Sequence, residues 1–335
     1  VVNRLSFLWN HQRSRHKLTS NYLDQNRCHQ QKTKLPYGKQ DRLYLWTDQI
    51  YSHKNIKRQH LLICNFSPDK TTIYYLCVNM KNQDIIVFIT EWMQQYVKQA
   101  NSNGFVVGVS GGIDSALTST LAAKTGKKVL CVEMPIHQEK EQIIRANEHI
   151  NWLKSNFNNV ESITMDLSDL YDQFVKSVDG DKNSENYKIA LVNSRARLRM
   201  TSLYYLAQLN NLLVAGTGNK VEDFGIGFFT KYGDGGVDLS PIADLLKTEV
   251  YSLCETLGVA NSILVAPPTD GLWGDDRTDE DQIGASYPEL EWAMGFKGDI
   301  NTISDRQKVV LEIYTQFNSR NKHKMIAIPV CEIPR

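Results

Sequence analysis

The sequence predicts an α/β protein in which helices cover both faces of a doubly wound parallel sheet. From residue 84 onward, short apolar runs alternate with stretches of helical periodicity, and this alternation is typical of repeated strand–helix units. The apolar runs are continuous, which indicates strands buried on both faces. A glycine-rich turn joins the first apolar run to the helix that follows it, the position at which open α/β sheets bind ligands.

The individual elements follow from local patterns. Ile86, Ile89 and Trp92 recur at helical spacing and predict a helix over 85–100. The apolar run at 105–109 predicts a buried strand, and the next helix is expected to end at Gly126, because glycine favours the conformation that terminates helices. The further predicted elements are helices over 114–124, 138–155, 168–177 and 186–209 and strands over 128–134, 160–166 and 212–215.

Charge divides the chain into two parts. Residues 1–79 contain 13 Lys or Arg, four Asp and no Glu, whereas residues 80–335 contain 25 basic and 33 acidic side chains. In the first part the apolar residues follow no period for long, which predicts a disordered basic extension. The alternative is that residues 1–79 are an artefact upstream of a start codon at Met80. The second part is predicted to form one α/β domain.

Two features of the first part leave other interpretations open. The apolar residues 61–63 and 73–76 are separated by Ser67-Pro68-Asp69, which is the pattern of a weak hairpin. Tyrosines and tryptophans are interleaved with the basic residues, as in some tails that bind nucleic acid. Because no period persists, we favour disorder and do not expect nucleic acid as a partner.

The composition argues against several other classes of protein. No apolar stretch reaches the length needed to cross a membrane. The N-terminus lacks the apolar core of a signal peptide, so a cytoplasmic protein is expected. The six cysteines show no C-x-x-C spacing, which argues against a zinc site or a disulfide scaffold.

The glycine-rich turn reads Ser110-Gly111-Gly112-Ile113-Asp114-Ser115. Its glycines allow a sharp turn that presents backbone N–H groups to an anion at the start of a helix. The serine hydroxyls add further donors. Asp114 would repel a phosphate directly, and its presence is explained by a Mg²⁺ ion that bridges the carboxylate to the phosphates. The alternative is a turn in which Asp and Ser only cap the helix. Such a cap does not require so specific a pattern.

This turn resembles the PP-loop of the ATP pyrophosphatases, which cleave ATP between its α- and β-phosphates. The resemblance implies a sheet of the adenine nucleotide alpha hydrolase type.

A second loop, Gly216-Thr217-Gly218-Asn219-Lys220-Val221-Glu222-Asp223, follows another predicted strand and belongs on the same edge of the sheet. A third loop begins Gly227-Phe228-Phe229-Thr230-Lys231-Tyr232-Gly233-Asp234-Gly235, and its aromatic rings can stack on a base or a pyridine ring.

The third loop is similar to that of the NAD synthetase family, whose members carry a Gly-Tyr/Phe-Phe-Thr-Lys-Tyr/Phe-Gly-Asp-Gly run. The resemblance covers Met80 to Pro329. It implies that ATP, with Mg²⁺, activates deamido-NAD as an acyl-adenylate, which ammonia converts to NAD with release of AMP and pyrophosphate. It also implies a homodimer with active sites at the subunit interface. Glutamine-dependent relatives carry a large amidase domain for which residues 1–79 are too few, so free ammonia is the expected nitrogen source.

The resemblance further assigns roles to individual residues. Asp114 and Glu222 would bind Mg²⁺, with Asp223 as the alternative to Glu222. Asp114, Lys231 and Lys247 would be catalytic. ATP would contact Gly108, Val109, Ser110, Gly111, Gly112, Ile113, Asp114, Ser115, Thr217, Lys247 and Thr269. Deamido-NAD would contact Asn193, Arg197, Lys231, Asp234, His323 and Lys324.

Two positions depart from the family pattern. Glu133 stands where some relatives have Arg, so the adjoining loop that contacts ATP is expected to differ. Gln282 stands where relatives often carry Glu. Thr278 to Asp281, just before it, fits a helix capping box. This acidic run is therefore either a structural cap or part of a mobile active-site loop.

Two other functions remain open from the residues. Another PP-loop amidotransferase, such as GMP synthetase, would share the glycine-rich turn, but the Phe-Phe-Thr-Lys run disfavours it. A nucleotide-binding module without catalysis is disfavoured because the chain carries Asp114, Glu222, Lys231 and Lys247 together.

Overall fold

The computed structural model describes residues 80–269 and 278–334 in full, together with the backbone of strands between residues 31 and 75. The chain divides into two units, Val1–Asn79 and Met80–Arg335. The boundary coincides with the change of charge along the sequence. No helix in these described ranges is long and apolar enough to cross a membrane.

The described strands of the first unit form an antiparallel sheet in which each strand pairs with the next. The last two strands pair with Ser67 opposite Lys70. They form the hairpin that the sequence leaves open beside the favoured interpretation of disorder. The first two strands lie where the sequence predicts no element. The other residues before Met80 lie outside the described part of the chain, and the disorder predicted for them stays a prediction. The strands are β1 (Gln31–Lys34), β2 (Arg42–Ile50), β3 (Arg58–Ser67) and β4 (Lys70–Tyr75).

The second unit is built on a parallel sheet of β5 (Gly104–Gly108), β6 (Lys128–Glu133), β7 (Val160–Thr164) and β8 (Leu212–Val214). The order in the sheet is β7-β6-β5-β8. The chain therefore builds outward from β5 to β7 and then returns to the other side of β5. This reversal is the switch point of a doubly wound sheet, and it confirms the predicted fold class.

The helices that precede β8 also match the prediction, with ends that differ by three residues or fewer. The helices beyond β8 have no counterpart among the predicted elements. The helices are α1 (Asn82–Gln99), α2 (Ile113–Lys124), α3 (Lys140–Asn156), α4 (Ser168–Ser177), α5 (Glu185–Asn210), α6 (Lys247–Leu257), α7 (Asn261–Leu264), α8 (Asp279–Ile283), α9 (Tyr287–Gly295) and α10 (Asp305–Met325), with a π-helical turn at Lys220–Ile226 and a 3-10 turn at Ile300–Thr302.

Helices cover both faces of the parallel sheet. Phe105 and Val107 of β5 pack with apolar residues of α1, α2 and α3 on one face. Val106 belongs to the opposite face, where it packs with Leu206 and Ala207 of α5. Burial on both faces explains why each strand appears in the sequence as a continuous apolar run.

A smaller core fixes the segment that follows β8. Val221 and Ile226 of the π-helical turn pack with Leu290 of α9 and Val310 of α10, and all four side chains are buried. The turn carries Glu222 between these two anchors. Packing against α9 and α10 therefore determines where the Glu222 carboxylate lies.

His149 is expected to make stability depend on pH. Its ring in α3 is fully buried, and its Nε2 atom lies 2.9 Å from the hydroxyl of Ser119 in α2. Burial lowers the pKa of His149 from 6.5 to about 4. The unfolded chain therefore binds a proton that the native protein does not, and the free energy of unfolding should fall by about 3 kcal/mol as the pH drops through this interval.

Urea unfolding between pH 4 and pH 8 measures this effect. A His149→Gln variant lacks the titrating ring and should show a flatter dependence on pH than the wild type. The same slope in both proteins would show that other groups cause the loss of stability.

Candidate active site

A cavity of about 710 Å³ opens at the carboxyl ends of β5 and β8, at the switch point of the sheet. Residues 108–115 form one wall, residues 216–218 a second, and the glycine-rich segment from Gly227 to Val237 a third. Residues of α3, α5 and α10 also line it. A large cleft where loops from adjacent parallel strands converge is the usual position of a ligand site in this class of fold.

The glycine-rich turn has the geometry of an anion-binding loop. α2 begins at Ile113, directly after the two glycines, so the positive end of the helix dipole points at the cavity. The hydroxyl of Ser115 donates to the carbonyl of Gly112 at 2.9 Å and accepts from the N–H of Ser110 at 3.2 Å. These hydroxyls, expected to be phosphate donors, also hold the loop in its conformation.

Gly111 is required by this loop for two separate reasons. Its φ is +80°, and a Cβ atom there would lie 2.6 Å from the carbonyl oxygen of Gln142. We expect Gly111→Ala to lower the free energy of unfolding by about 2–4 kcal/mol. Gly126→Ala is a matched control, since Gly126 has φ +69° and open space around it. Urea unfolding of both variants separates backbone strain from the clash, and equal losses would show that the clash contributes nothing.

The chemical centre of the site is a lysine held between two carboxylates. The Nζ atom of Lys247 lies 2.6 Å from Oδ2 of Asp114 and 2.9 Å from Oε1 of Glu222. Lys247 is 3% exposed, and all three residues line the cavity. Asp114 comes from the first turn of α2, Glu222 from the π-helical turn and Lys247 from the start of α6. Three separate elements therefore converge on one charged cluster.

The charges of this cluster are interdependent. Burial disfavours the ammonium of Lys247, but Asp114 and Glu222 more than offset this and raise the pKa of Lys247 above its ordinary value. Burial raises the pKa of Asp114, and Lys247 opposes this only in part. For Glu222 the burial effect is outweighed by Lys247 and by the Tyr287 hydroxyl, so that its pKa is lowered. The ammonium of Lys247 thus compensates the charges of two buried carboxylates that would otherwise repel each other.

Asn219 connects the two carboxylates, a role that the sequence analysis missed. Its side-chain amide donates to Oδ1 of Asp114 at 3.0 Å. Its side-chain oxygen accepts from the N–H groups of Val221 and Glu222 at 3.0 and 3.1 Å and so caps the π-helical turn. Asparagine is a preferred N-cap residue, so the capping role of Asn219 could be predicted from the sequence.

The structure separates the two candidate carboxylates of the second loop. Glu222 meets Lys247, as described, whereas the carboxylate of Asp223 lies against Gly218, where a Cβ atom would be 2.2 Å from either carboxylate oxygen. Burial, followed by the charge of Glu222, raises the pKa of Asp223 well above its ordinary value. Of the two, Glu222 is therefore the carboxylate that shares a cation with Asp114.

The third loop brings several predicted substrate residues together at the cavity. The Thr230 hydroxyl donates to Oδ1 of Asn193 at 2.7 Å, and its N–H donates to Oδ1 of Asp234 at 3.0 Å. Lys324 of α10 donates to the carbonyl of Phe229 at 2.7 Å. Burial raises the pKa of Asp234. All of these residues line the cavity.

Three other predicted residues contact one another but are not among those that line the cavity. Lys231 donates from Nζ to the backbone carbonyl of His323 at 2.8 Å. Arg197 lies 3.4 Å from the carbonyl of Lys231. The sequence predicts that these residues lie near one another, and the structure shows that the ammonium of Lys231 binds the backbone of α10.

The remaining predicted positions lie at the cavity wall. Thr217 and Thr269 both line it. So does Glu133, which is buried and accepts hydrogen bonds from Asn147 and Thr164 at 3.3 and 3.0 Å. Arg199 of α5 also lines the cavity, and its Nε atom donates to the carbonyl of Met134 at 2.9 Å.

The acidic run before Gln282 forms the cap that its sequence permits. The hydroxyl of Thr278 accepts from the N–H of Asp281, and the carboxylate of Asp281 accepts from the N–H of Thr278 at 3.0 Å. This reciprocal pair is a capping box, and it starts α8. Gln282 itself lines the cavity.

Comparison with known proteins assigns this chain to a family. The family model described as NAD synthase matches residues 85–327. The chain belongs to the NAD synthetase family. It is therefore a ligase that forms a carbon–nitrogen bond. Among the PP-loop enzymes, the match disfavours the alternative of a GMP synthetase.

The curated relatives agree with this assignment, and the chain is also similar to solved structures. The chain is 37% identical over 231 residues to the NH(3)-dependent NAD(+) synthetase of Mesoplasma florum, covering 69% of this chain and 91% of that protein. The corresponding protein of Syntrophomonas wolfei is 36% identical over 257 residues, covering 76% and 98%. The NMN synthetase of Francisella tularensis superimposes with a TM-score of 0.67 at 30% identity, covering 76% of this chain and all of that one. An NH3-dependent NAD synthetase from Campylobacter jejuni gives 0.59 at 28% identity, with the same coverage.

Proposed function

We propose that this protein uses ATP to amidate deamido-NAD with free ammonia and releases NAD, AMP and pyrophosphate. The observation that carries the proposal is the buried Asp114–Lys247–Glu222 cluster beside a glycine-rich anion loop. The names of the curated relatives support ammonia as the nitrogen donor.

The reaction needs ATP because a carboxylate cannot expel oxide when ammonia attacks it. Attack of the nicotinate carboxylate on the α-phosphate would give an acyl-adenylate and pyrophosphate. Ammonia would then attack the acyl carbon and expel AMP. Such a mechanism depends on alignment of the reactants and on stabilisation of phosphate charge, both of which the loop and the charged cluster can supply.

Asp114 and Glu222 have the donor chemistry for Mg²⁺. Magnesium prefers one or two carboxylates together with substrate phosphates and water, and the described residues contain no cluster of three or more His, Cys, Asp or Glu that would hold a metal without help. The two carboxylates already share a cation, the ammonium of Lys247. Mg²⁺ bound there would neutralise the developing charge of pyrophosphate. Lys247, released from the carboxylates, would contact the phosphates.

The third loop and α5 would hold the dinucleotide substrate. Asn193, Asp234 and Lys324 offer polar contacts at the cavity, and Phe229 offers a ring for stacking. Arg197, Lys231 and His323 would complete the site from outside the cavity lining. We propose that they do so at the interface of a homodimer.

Turnover with defined components tests the proposed function. Purified protein receives ATP, Mg²⁺, ammonium and deamido-NAD, and chromatography follows NAD and AMP, with each component omitted in turn. One NAD per AMP, dependent on ammonium and not supported by glutamine, is the expected result. Nicotinate mononucleotide is tested as a second acceptor, because the similar Francisella tularensis structure is an NMN synthetase. No nucleotide turnover from folded protein would contradict the enzyme and favour a binding module.

A further inference from the structure

Tyr287 lies directly behind the charged cluster and is fixed there from several sides. It is the first residue of α9 and is 4% exposed. Its N–H donates to Oε1 of Glu280 at 2.8 Å. Its ring belongs to the core that joins the π-helical turn to α9 and α10. The orientation of the side chain is therefore determined by packing before any ligand binds.

The hydroxyl and the ring of Tyr287 each meet one member of the cluster. The hydroxyl donates to Oε1 of Glu222 at 2.6 Å and lies 3.3 Å from Oδ2 of Asp279. The ring centroid lies 4.7 Å from Nζ of Lys247, within the range of a cation–π interaction. Lys247 and Tyr287 both donate to Oε1 of Glu222. Neither contact uses the second oxygen of that carboxylate.

A purely structural role would not require the hydroxyl. Phenylalanine would fill the same space in this core, and a buried hydroxyl has a desolvation cost unless it is bonded. In Tyr287 the hydroxyl is bonded, because it donates to Oε1 of Glu222 at 2.6 Å. A short bond from a protonated phenol to a carboxylate is strong and directional.

We propose that Tyr287 is a positioning residue of the cation site, whose hydroxyl fixes the Glu222 carboxylate beside Asp114 so that a nucleotide-bound divalent cation meets both ligands in place. The inference rests on the proposed function, since it gives the acidic pair the role of holding the metal. Tyr287 touches neither substrate nor metal and acts through Glu222. Loss of the hydroxyl should therefore lower the affinity for the metal more than it lowers the rate of the chemical step.

Tyr287→Phe isolates the hydroxyl, because the ring and its contact with Lys247 are kept. Tyr204→Phe is a matched control, since that phenol also meets a carboxylate, Asp238, at 3.3 Å and Tyr204 is not among the residues that line the cavity. Mn²⁺ binding is measured by electron paramagnetic resonance with α,β-methylene-ATP, which cannot release pyrophosphate. We expect the Mn²⁺ dissociation constant to rise by about tenfold or more in Tyr287→Phe and to be unchanged in Tyr204→Phe.

A double-mutant cycle distinguishes positioning from a general loss of stability. In a Glu222→Gln background, Tyr287→Phe should weaken Mn²⁺ binding no further, because the charge that the hydroxyl orients is gone. In turnover, excess Mg²⁺ should restore most of the kcat of the Tyr287→Phe variant. Urea unfolding verifies that each variant is folded.

Each outcome has a defined meaning. Wild-type Mn²⁺ affinity in Tyr287→Phe overturns the positioning role, and so does an equal loss in Tyr204→Phe. If Tyr287→Phe weakens Mn²⁺ binding as much in the Glu222→Gln background as in the wild type, the positioning role is also overturned. If the cycle gives the expected result while the wild type forms no NAD, the positioning role stands and the proposed function fails.

Discussion

Replacing Asp114 with asparagine is expected to lower kcat/KM for ATP by on the order of a hundredfold to a thousandfold. The substitution keeps the shape of the side chain and its position at the start of α2. It removes the negative charge that lies 2.6 Å from Lys247 and that would bind Mg²⁺. Because Glu222 still pairs with Lys247, the fold should remain intact. Steady-state formation of NAD, with ATP varied at saturating ammonium and Mg²⁺, measures the effect.

Asp244→Asn is the matched control for this prediction. Asp244 is 97% exposed and pairs with Lys220 at 2.8 Å, and exposed pairs contribute little to stability or function. We expect kcat/KM to change by less than about twofold. Near wild-type turnover by Asp114→Asn would mean that Asp114 does not bind the metal.

The sequence predicts the sheet and its covering helices well, because burial imposes a local pattern on each element. A strand covered on both faces must be apolar throughout, and 105–109 shows this directly. The glycine-rich turn is equally local, since the positive φ of Gly111 allows few other residues. Beyond β8, α7 and α8 have four and five residues. α10 has 21 residues but buries only Val310 and Asn321, so its sequence carries no clear apolar period.

The interior of the site depends on contacts between distant parts of the chain, which local patterns do not contain. Asp114 and Lys247 are 133 residues apart, and Glu222 and Tyr287 are 65 apart. Family resemblance names Lys247 as a contact of ATP, but only packing places its ammonium between two carboxylates. Lys231 is a second example. Its residue type fits a substrate contact, but the contact of its ammonium with the His323 carbonyl depends on where α10 packs.

Lys247→Met should destabilise the protein strongly and yet increase its affinity for a divalent cation. The lysine is 3% exposed and is the shared partner of two carboxylates. Methionine keeps much of the side-chain volume but leaves these carboxylates without their cation. Removing one partner from a buried ion pair costs about 3–5 kcal/mol. Urea unfolding in the absence of divalent cations measures this loss.

Addition of Mn²⁺ then tests whether the ammonium and the metal use the same two carboxylates. In Lys247→Met the metal should restore about 2.7 kcal/mol of stability when its concentration is a hundred times its dissociation constant. The wild type should gain much less, because Lys247 competes for the same oxygens. Lys220→Met is the control, since its pair with Asp244 is exposed, and its response to Mn²⁺ should equal that of the wild type.

Competition of this kind has a consequence for the order of binding. A bare cation must displace Lys247 from two charged hydrogen bonds, whereas a cation that arrives with ATP brings phosphates to receive the displaced ammonium. Nucleotide should therefore raise the Mn²⁺ affinity of the wild type far more than that of Lys247→Met. An equal enhancement in both proteins would show that Lys247 does not exchange its partners and that the metal binds elsewhere in the cavity.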